Sequence, residues 1–245
     1  MEKKIEEGEE IGITIEVPAT EEKLIEEKSA VEERTPLQAW APKTQIGKDV
    51  KSGKIKEIDE ILLSGKKILE PEIVDSLIHL EKDLLLVGQS KGKFGGGKRR
   101  AWRQTQKKTM EGNVLTFSSM AVVGDKNGHV GVGLGKSKET LPSREKAVRF
   151  AKLNIIKVNR GCGHFDCSCS EPHSIPFAVE GKCGSVVIKL IPAPQGTGLV
   201  VSDECKKILK LAGIKDVYSY AKGQGRTTIN AANACVNALK RTEKL

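Results

Sequence analysis

Four residues over 162–173 have the types and intervals of a metal knuckle. Cys162, Cys167, Cys169 and His173 are spaced C-x-x-x-x-C-x-C-x-x-x-H, with His164 in reserve. Zinc takes four sulfur or nitrogen ligands, and a single loop can wrap it at such intervals. The spacing is not that of a standard finger, so free thiols or a disulfide are the other readings of the same residues. A zinc here would be structural, pinning a loop that has no core of its own, and no other cofactor is required. Cys183, Cys205 and Cys235 read as small core residues.

The run GVGLGKS (131–137) carries the glycines and the Lys-Ser of a phosphate-binding loop. That loop needs G-x-x-x-x-G-K-[ST], because the N–H groups between the glycines wrap the phosphates. Position 130 is Val and Gly131 stands one residue too near, so an NTPase reading is disfavoured. A hairpin uses every residue instead. Asn127-Gly128 lies between apolar runs, and Val130, Val132 and Leu134 alternate with Gly131, Gly133 and Gly135. One face of that strand is expected to be buried, the other bare glycine, open to a second backbone or a ligand. The sequence contains no H-E-x-x-H, and no catalytic constellation is evident. The expectation is a protein that is not an enzyme.

Charge supplies the strongest functional signal. The chain of 245 residues has a net charge of +9, but residues 1–34 hold twelve Glu against five Lys/Arg. That head carries −7 and leaves +16 on the remainder, a balance that points to a polyanion partner. Residues 88–108 (GQSKGKFGGGKRRAWRQTQKK) contain Lys91, Lys93, Lys98, Arg99, Arg100, Arg103, Lys107 and Lys108 and no acid. Mobile glycines let such a chain mould to a phosphate surface, while its cations release counterions. Lys136, Lys138, Arg144, Lys222 and Arg226 join them as candidate RNA contacts, with Gly131 and Gly133 where an RNA backbone could approach. Aromatics make up only 4%, so base stacking is not the main device. With no apolar run of transmembrane length and an acidic N-terminus, the chain reads as soluble, intracellular and without a membrane partner.

The elements that must position these residues follow from periodicity. Residues 1–34 read as a disordered head, and Thr35–Gly47 as an extended arm. Two short helices are expected around Ile55, Ile58, Ile61 and Leu62 and around Ile73, Leu77 and Leu80. A strand begins near Leu84, 88–108 follows as a basic loop, and Val114–Val123 leads into the hairpin. Pro142–Val158 is read as one helix, with Ala147, Val148, Ala151 and Ile155 inward and Arg144, Lys146, Arg149 and Lys152 exposed. After a linker, Ser174–Glu180 and Ser185–Ile191 read as strands around a turn at 181–184. A helix ended by Gly213, a strand at 217–221 and a helix at 229–240 complete the pattern. The fold class is therefore α+β, an α-β-β-β-α unit followed by a β-β-α-β-α unit. The expected divisions are 1–34, 35–80, 81–158, 159–172 and 173–241.

Three stretches carry a family likeness: MAVVGDKNGHVGVGLGKSKE (120–139), PHSIPFAVEGKCGSVVIKLIPAPQGTGLVVS (172–202) and LAGIKDVYSYAKGQGRTTINAANA (211–234). Together they resemble the universal small-ribosomal-subunit protein number five. The cysteine cluster, the long basic segment and WAPKTQIGKDVKSGKIK (40–56) are similar to its archaeal and eukaryotic branch. The resemblance runs from about Trp40 to Arg241 and leaves the acidic head outside it. It implies a double-stranded-RNA-binding-like first domain and a second domain with a left-handed crossover. It further implies assembly into the small subunit in the cytoplasm and contact with small-subunit rRNA. The implied neighbours include the fourth and eighth small-subunit proteins, with mRNA nearby and an influence on decoding accuracy. The loop lying on rRNA in that family corresponds here to Lys107–Asn113. A free-standing RNA-binding regulator is the alternative.

Overall fold

The structure, a computed structural model, describes residues 40–89, 99–165, 167, 169 and 171–243. The expected disordered head at 1–34, and Lys91, Lys93 and Lys98, lie outside the described residues. Residues from Pro42 onward form one compact unit.

Three short helices open it: α1 (Gln45–Lys51), α2 (Ile58–Leu63) and α3 (Pro71–Leu77). The arm expected over 35–47 is thus interrupted, because Thr44 caps α1 by accepting the Gly47 N–H. Glu70 Oε1 also accepts the Lys43 and Thr44 N–H groups, at 2.9 and 2.7 Å. Pro71 starts α3, where a missing N–H costs nothing.

The first sheet contains β1 (Glu81–Leu85), β2 (Trp102–Thr109), β3 (Gly112–Gly124), β4 (His129–Ser137) and β5 (Ile155–Lys157), all antiparallel neighbours. β3 is long enough to take β2 along residues 112–119 and β1 along 120–124 of one edge. Its other edge pairs with β4 only from Phe117 onward. The outer part of β2–β3 is consequently a free two-stranded ribbon, and it is solvent-exposed along its length. The basic segment that read as a loop to residue 108 is therefore a strand from Trp102. Helix α4 (Thr140–Leu153) is shorter than expected: Asn154 ends it, and Ile155 belongs to β5.

The bare glycine face is not open. An added Cβ at Gly133 would lie 2.2 Å from Ala151 N and 2.4 Å from Ala147 O, both on the backbone of α4. At Gly131 it would meet Ala151 O, and at Gly135 Ser143 O, each at 2.2 Å. The glycines seat α4 on the sheet, with small residues facing them: Ser143, Ala147 and Ala151 are buried. The surface expected for RNA at Gly131 and Gly133 is thus occupied by this helix. Leu134, expected inside with Val130 and Val132, is instead 37% exposed near the strand's end.

The second sheet has the order β6-β7-β9-β8, from β6 (Val179–Cys183), β7 (Val186–Pro192), β8 (Leu199–Val200) and β9 (Val217–Lys222). The turn is at Gly184–Ser185, so Gly181 lies within β6, where its bare face meets Ala234 and Ala238. Those alanines belong to α6 (Thr228–Leu239). β8 and β9 are parallel and joined through α5 (Asp203–Leu211). Cys205, Ile208, Leu209 and Ala212 face inward as the periodicity predicts. Gly213 ends the helix at φ +82, with the Ile214 N–H returning to Leu209 O. One apolar cluster joins both sheets, from Leu85, Met120, Val122 and Val130 through Ile188, Leu190 and Ile208 to Leu239.

A charged clamp holds the hairpin to α2. His129 places Nδ1 2.6 Å from Asp125 Oδ2 and Nε2 2.8 Å from Asp59 Oδ1, while Lys157 bonds the other Asp59 oxygen. The Asp125 hydrogen bond, opposed by burial and aided by Asp59, raises the His129 pKa above its ordinary value. Burial works against ionising Asp59, but its bonds to Lys157 and His129 outweigh this and hold its pKa low. Burial likewise opposes ionisation of Asp125, and His129 with two backbone N–H groups keeps its pKa low as well. Lys152 also departs from expectation: it is 8% exposed and paired with Asp75 at 2.5 Å.

Two measurements follow. Gly133→Ala should destabilise the isolated protein by ~1–3 kcal/mol, because two backbones must separate. Gly225→Ala, with nothing within 4 Å of its added Cβ, should stay within about 0.5 kcal/mol; equal melting temperatures for the two variants contradict the helix seat. The clamp predicts a pH dependence of definite sign. A raised histidine pKa gives stability that is complete below about 6.5 and lost as pH climbs through the folded value. The carboxylates, held low, contribute above about 4 and lose their contribution in acid. The melting-temperature gap between the parent and His129→Gln should therefore narrow from about pH 6 to about pH 9. A gap that widens over that range contradicts it.

Candidate nucleic-acid interface and metal centre

Val87 leaves β1 and leads to Gly88, whose N–H donates to Arg100 O at 2.9 Å. A Cβ on Gly88 would come within 2.2 Å of Trp102 O, so glycine lets the two ends of the basic segment close on each other. That closure brings Arg99 and Arg103 beside Arg226, which arrives from the loop before α6. The three arginines line a cleft of about 490 Å³ with Gly88, Gln89, Thr227 and Thr228, and among the described residues no carboxylate lines it. Thr228 is the first residue of α6, and the Thr227 side chain makes no cap bond. The helix end therefore adds its partial positive charge to three guanidiniums. Such a cleft is suited to phosphate oxygens.

Lys107 and Lys108 lie near the tip of the β2–β3 ribbon, where Met110 is fully exposed. A two-stranded ribbon exposed on both faces has little to stabilise it alone. Lys136 and Lys138 line a second hollow of about 550 Å³ with Thr116, Glu139 and Lys146. Arg144 and Lys222 are less free than their charge suggested. The Arg144 guanidinium lies 5.5 Å from the Trp102 ring centroid, and Lys222 Nζ 5.6 Å from that of Tyr220. The GVGLGKS backbone is engaged in the β3–β4 ladder and covered by α4, so it cannot cradle a phosphate. Sequence reasoning missed the contribution of Thr227 and Thr228; two threonines before an alanine-rich run are the helix-start signal that could have located it.

The cysteine cluster is assembled. The ligand atoms of Cys162, Cys167, Cys169 and His173 all lie within 4.8 Å of one another, positions from which four side chains could hold one ion. Cys167 Sγ is 3.1 Å from Cys169 Sγ and 3.4 Å from His173 Nε2. The loop's ends are joined by reciprocal 2.9 Å hydrogen bonds between Gly161 and Ser174. The Cys169 thiol, then the Gln195 and Cys169 backbone N–H groups, pull the Cys167 pKa down to about 6. Cys169 is pushed up to about 12, first by Cys167 and then by Cys162. His173 is 2% exposed, and its Nδ1 lies 2.9 Å from Asp216 Oδ2. That approach lies off the hydrogen-bond line, so Asp216 orients the ring by charge. Nothing in the sequence paired Asp216 with His173.

Comparison with known proteins agrees with this architecture. Residues 101–159 match the ribosomal protein S5 N-terminal domain and residues 181–245 its C-terminal domain. The small ribosomal subunit protein uS5 of Nanoarchaeum equitans is 52% identical over 206 residues, covering 84% of this chain and 88% of that protein. Its counterpart in Hyperthermus butylicus is 49% identical over 207 residues, covering 84% and 91%. That of Methanococcus maripaludis is 46% identical over 214 residues, covering 87% of each. With about half of its residues shared over most of its length, the chain belongs to the ribosomal protein S5 family.

Proposed function

We propose that this chain is a constituent of the small ribosomal subunit and seats on small-subunit rRNA through the Arg99–Arg103–Arg226 cleft and the β2–β3 ribbon. The convergence of three guanidiniums from two separate segments, with no acid among the described residues that line their cleft, carries this reading. Phosphate oxygens fit such a site bidentately, and the contact positions the protein without reading bases. The ribbon adds Lys107 and Lys108 and an apolar tip at Met110, features that an RNA groove or a neighbouring protein would cover. Lys136, Lys138 and Lys146 line a further hollow between the end of β4 and α4, with Glu139 as its one acid among the described residues, and Lys222 adds a cation on β9. The likeness noted at the outset supports the finer assignments: a position where mRNA enters, an influence on decoding accuracy, and the fourth and eighth small-subunit proteins as neighbours. The chemistry asked of the protein is assembly and positioning, not catalysis.

Replacing Arg99, Arg103 and Arg226 together by Gln should weaken binding to small-subunit rRNA and lower the slope of log K against log salt by about two to three. An unchanged slope sinks the cleft as the contact. In a sucrose gradient after a high-salt wash, the parent chain should sediment with small subunits. Its exclusive recovery at the top of the gradient would instead favour a free-standing RNA-binding regulator.

A further inference from the structure

We propose that Cys162, Cys167, Cys169 and His173 bind one zinc ion as a closed Cys3His site, with Asp216 holding the histidine in place. The inference is independent of the RNA reading. Zinc bonded to sulfur at about 2.3 Å places tetrahedral ligand atoms about 3.8 Å apart. The spacings here, 3.1 Å between Cys167 and Cys169 and 3.4 Å from Cys167 to His173 Nε2, fall near that edge. They do not describe a disulfide, whose sulfurs stand about 2.05 Å apart. The ligands are also chemically matched to zinc: three soft sulfurs and one imidazole, with no carboxylate among the four to favour a harder cation.

The surroundings are those of a built site. His173 is buried and turns Nε2 toward the sulfurs, while Asp216 stands at Nδ1. A carboxylate in that position sets the ring's orientation and leaves Nε2 free to ligate. Asp216 is itself held, since its Oδ1 accepts the Gly198 N–H at 2.7 Å. Its backbone N–H donates to His173 O at 3.1 Å. The Gln195 backbone N–H points at Cys167, as such groups do toward a metal-bound thiolate. The site therefore braces two loops, 161–174 around the ion and 194–198 behind it. The first has no core to order it: Phe165, its one large apolar residue, is 99% exposed. A metal supplies the missing cohesion.

The full chain, purified under reducing conditions, should contain one zinc per molecule by elemental mass spectrometry. Replacement by cobalt should give the visible bands of a tetrahedral site with intense thiolate-to-metal charge transfer. Cys167→Ser should lose the metal, whereas Cys183→Ser should keep it, because Cys183 lies outside the cluster. Asp216→Asn should retain the same cobalt spectrum but weaken zinc affinity by about 10–100-fold. Should Cys167→Ser fail to fold, the parent's cobalt spectrum decides alone. A folded, metal-free chain with no cobalt band overturns the proposal, whether six thiols titrate or two are lost to a disulfide.

Discussion

The contact on which the rest of the molecule depends is the backbone-to-backbone seat of α4 on β4. Gly131, Gly133 and Gly135 present no side chains, and the helix answers with Ser143, Ala147 and Ala151. The two backbones are so close that any Cβ on the glycines would overlap the helix. Ser143 adds polar register: its hydroxyl lies 2.9 Å from that of Ser119 and donates to Gly135 O at 3.1 Å. The second sheet repeats the device with Gly181 beneath Ala234 and Ala238. Small residues facing glycine leave little freedom of slide or tilt, because dense packing penalises both gaps and overlaps.

That rigidity is passed outward. Because α4 and β4 grip only the inner part of β3, the outer part is free to run on with β2 as an exposed ribbon. Trp102, at the base of that ribbon, meets Arg144 of α4. The shared apolar cluster ties the first sheet to α5 and α6, which places the start of α6 and Arg226 across from Arg99 and Arg103. On the other edge, Glu204 accepts the Leu86 N–H at 2.8 Å and Lys207 donates to Leu84 O at 2.6 Å, fastening α5 to β1. A flexible polyanion is thus offered a surface whose cations are held by two packed sheets.

Much of this was legible in residue pattern. The alternation of Val130 and Val132, the inward stripe of α5 and the stop at Gly213 all follow from period and conformation. What covers the glycine stripe was not legible, since a bare strand face reads the same whether RNA or a helix approaches it. Ala147 and Ala151, at helical spacing in the next element, were the available clue. β2 was missed for a different reason: both its faces are exposed, so its charges show no alternation that could mark a strand. The ligand spacing over 162–173 exposed the cysteine cluster, because its members lie within one loop. Asp216 joins them only through the fold of the second sheet, which no local interval records. The arginine cleft likewise required the tertiary approach of two segments, each of which had announced only its charge.

The central claim is that the arginine cleft and ribbon face RNA while the glycine strand is sealed beneath α4. Ultraviolet cross-linking of intact small subunits, with mass spectrometry of the peptide–nucleotide adducts, addresses both halves at once. Adducts are predicted on peptides spanning 99–108 and 223–228, with none on the glycines of 129–137. Adducts on Gly131 or Gly133, together with cleft peptides that remain unmodified, would contradict the account.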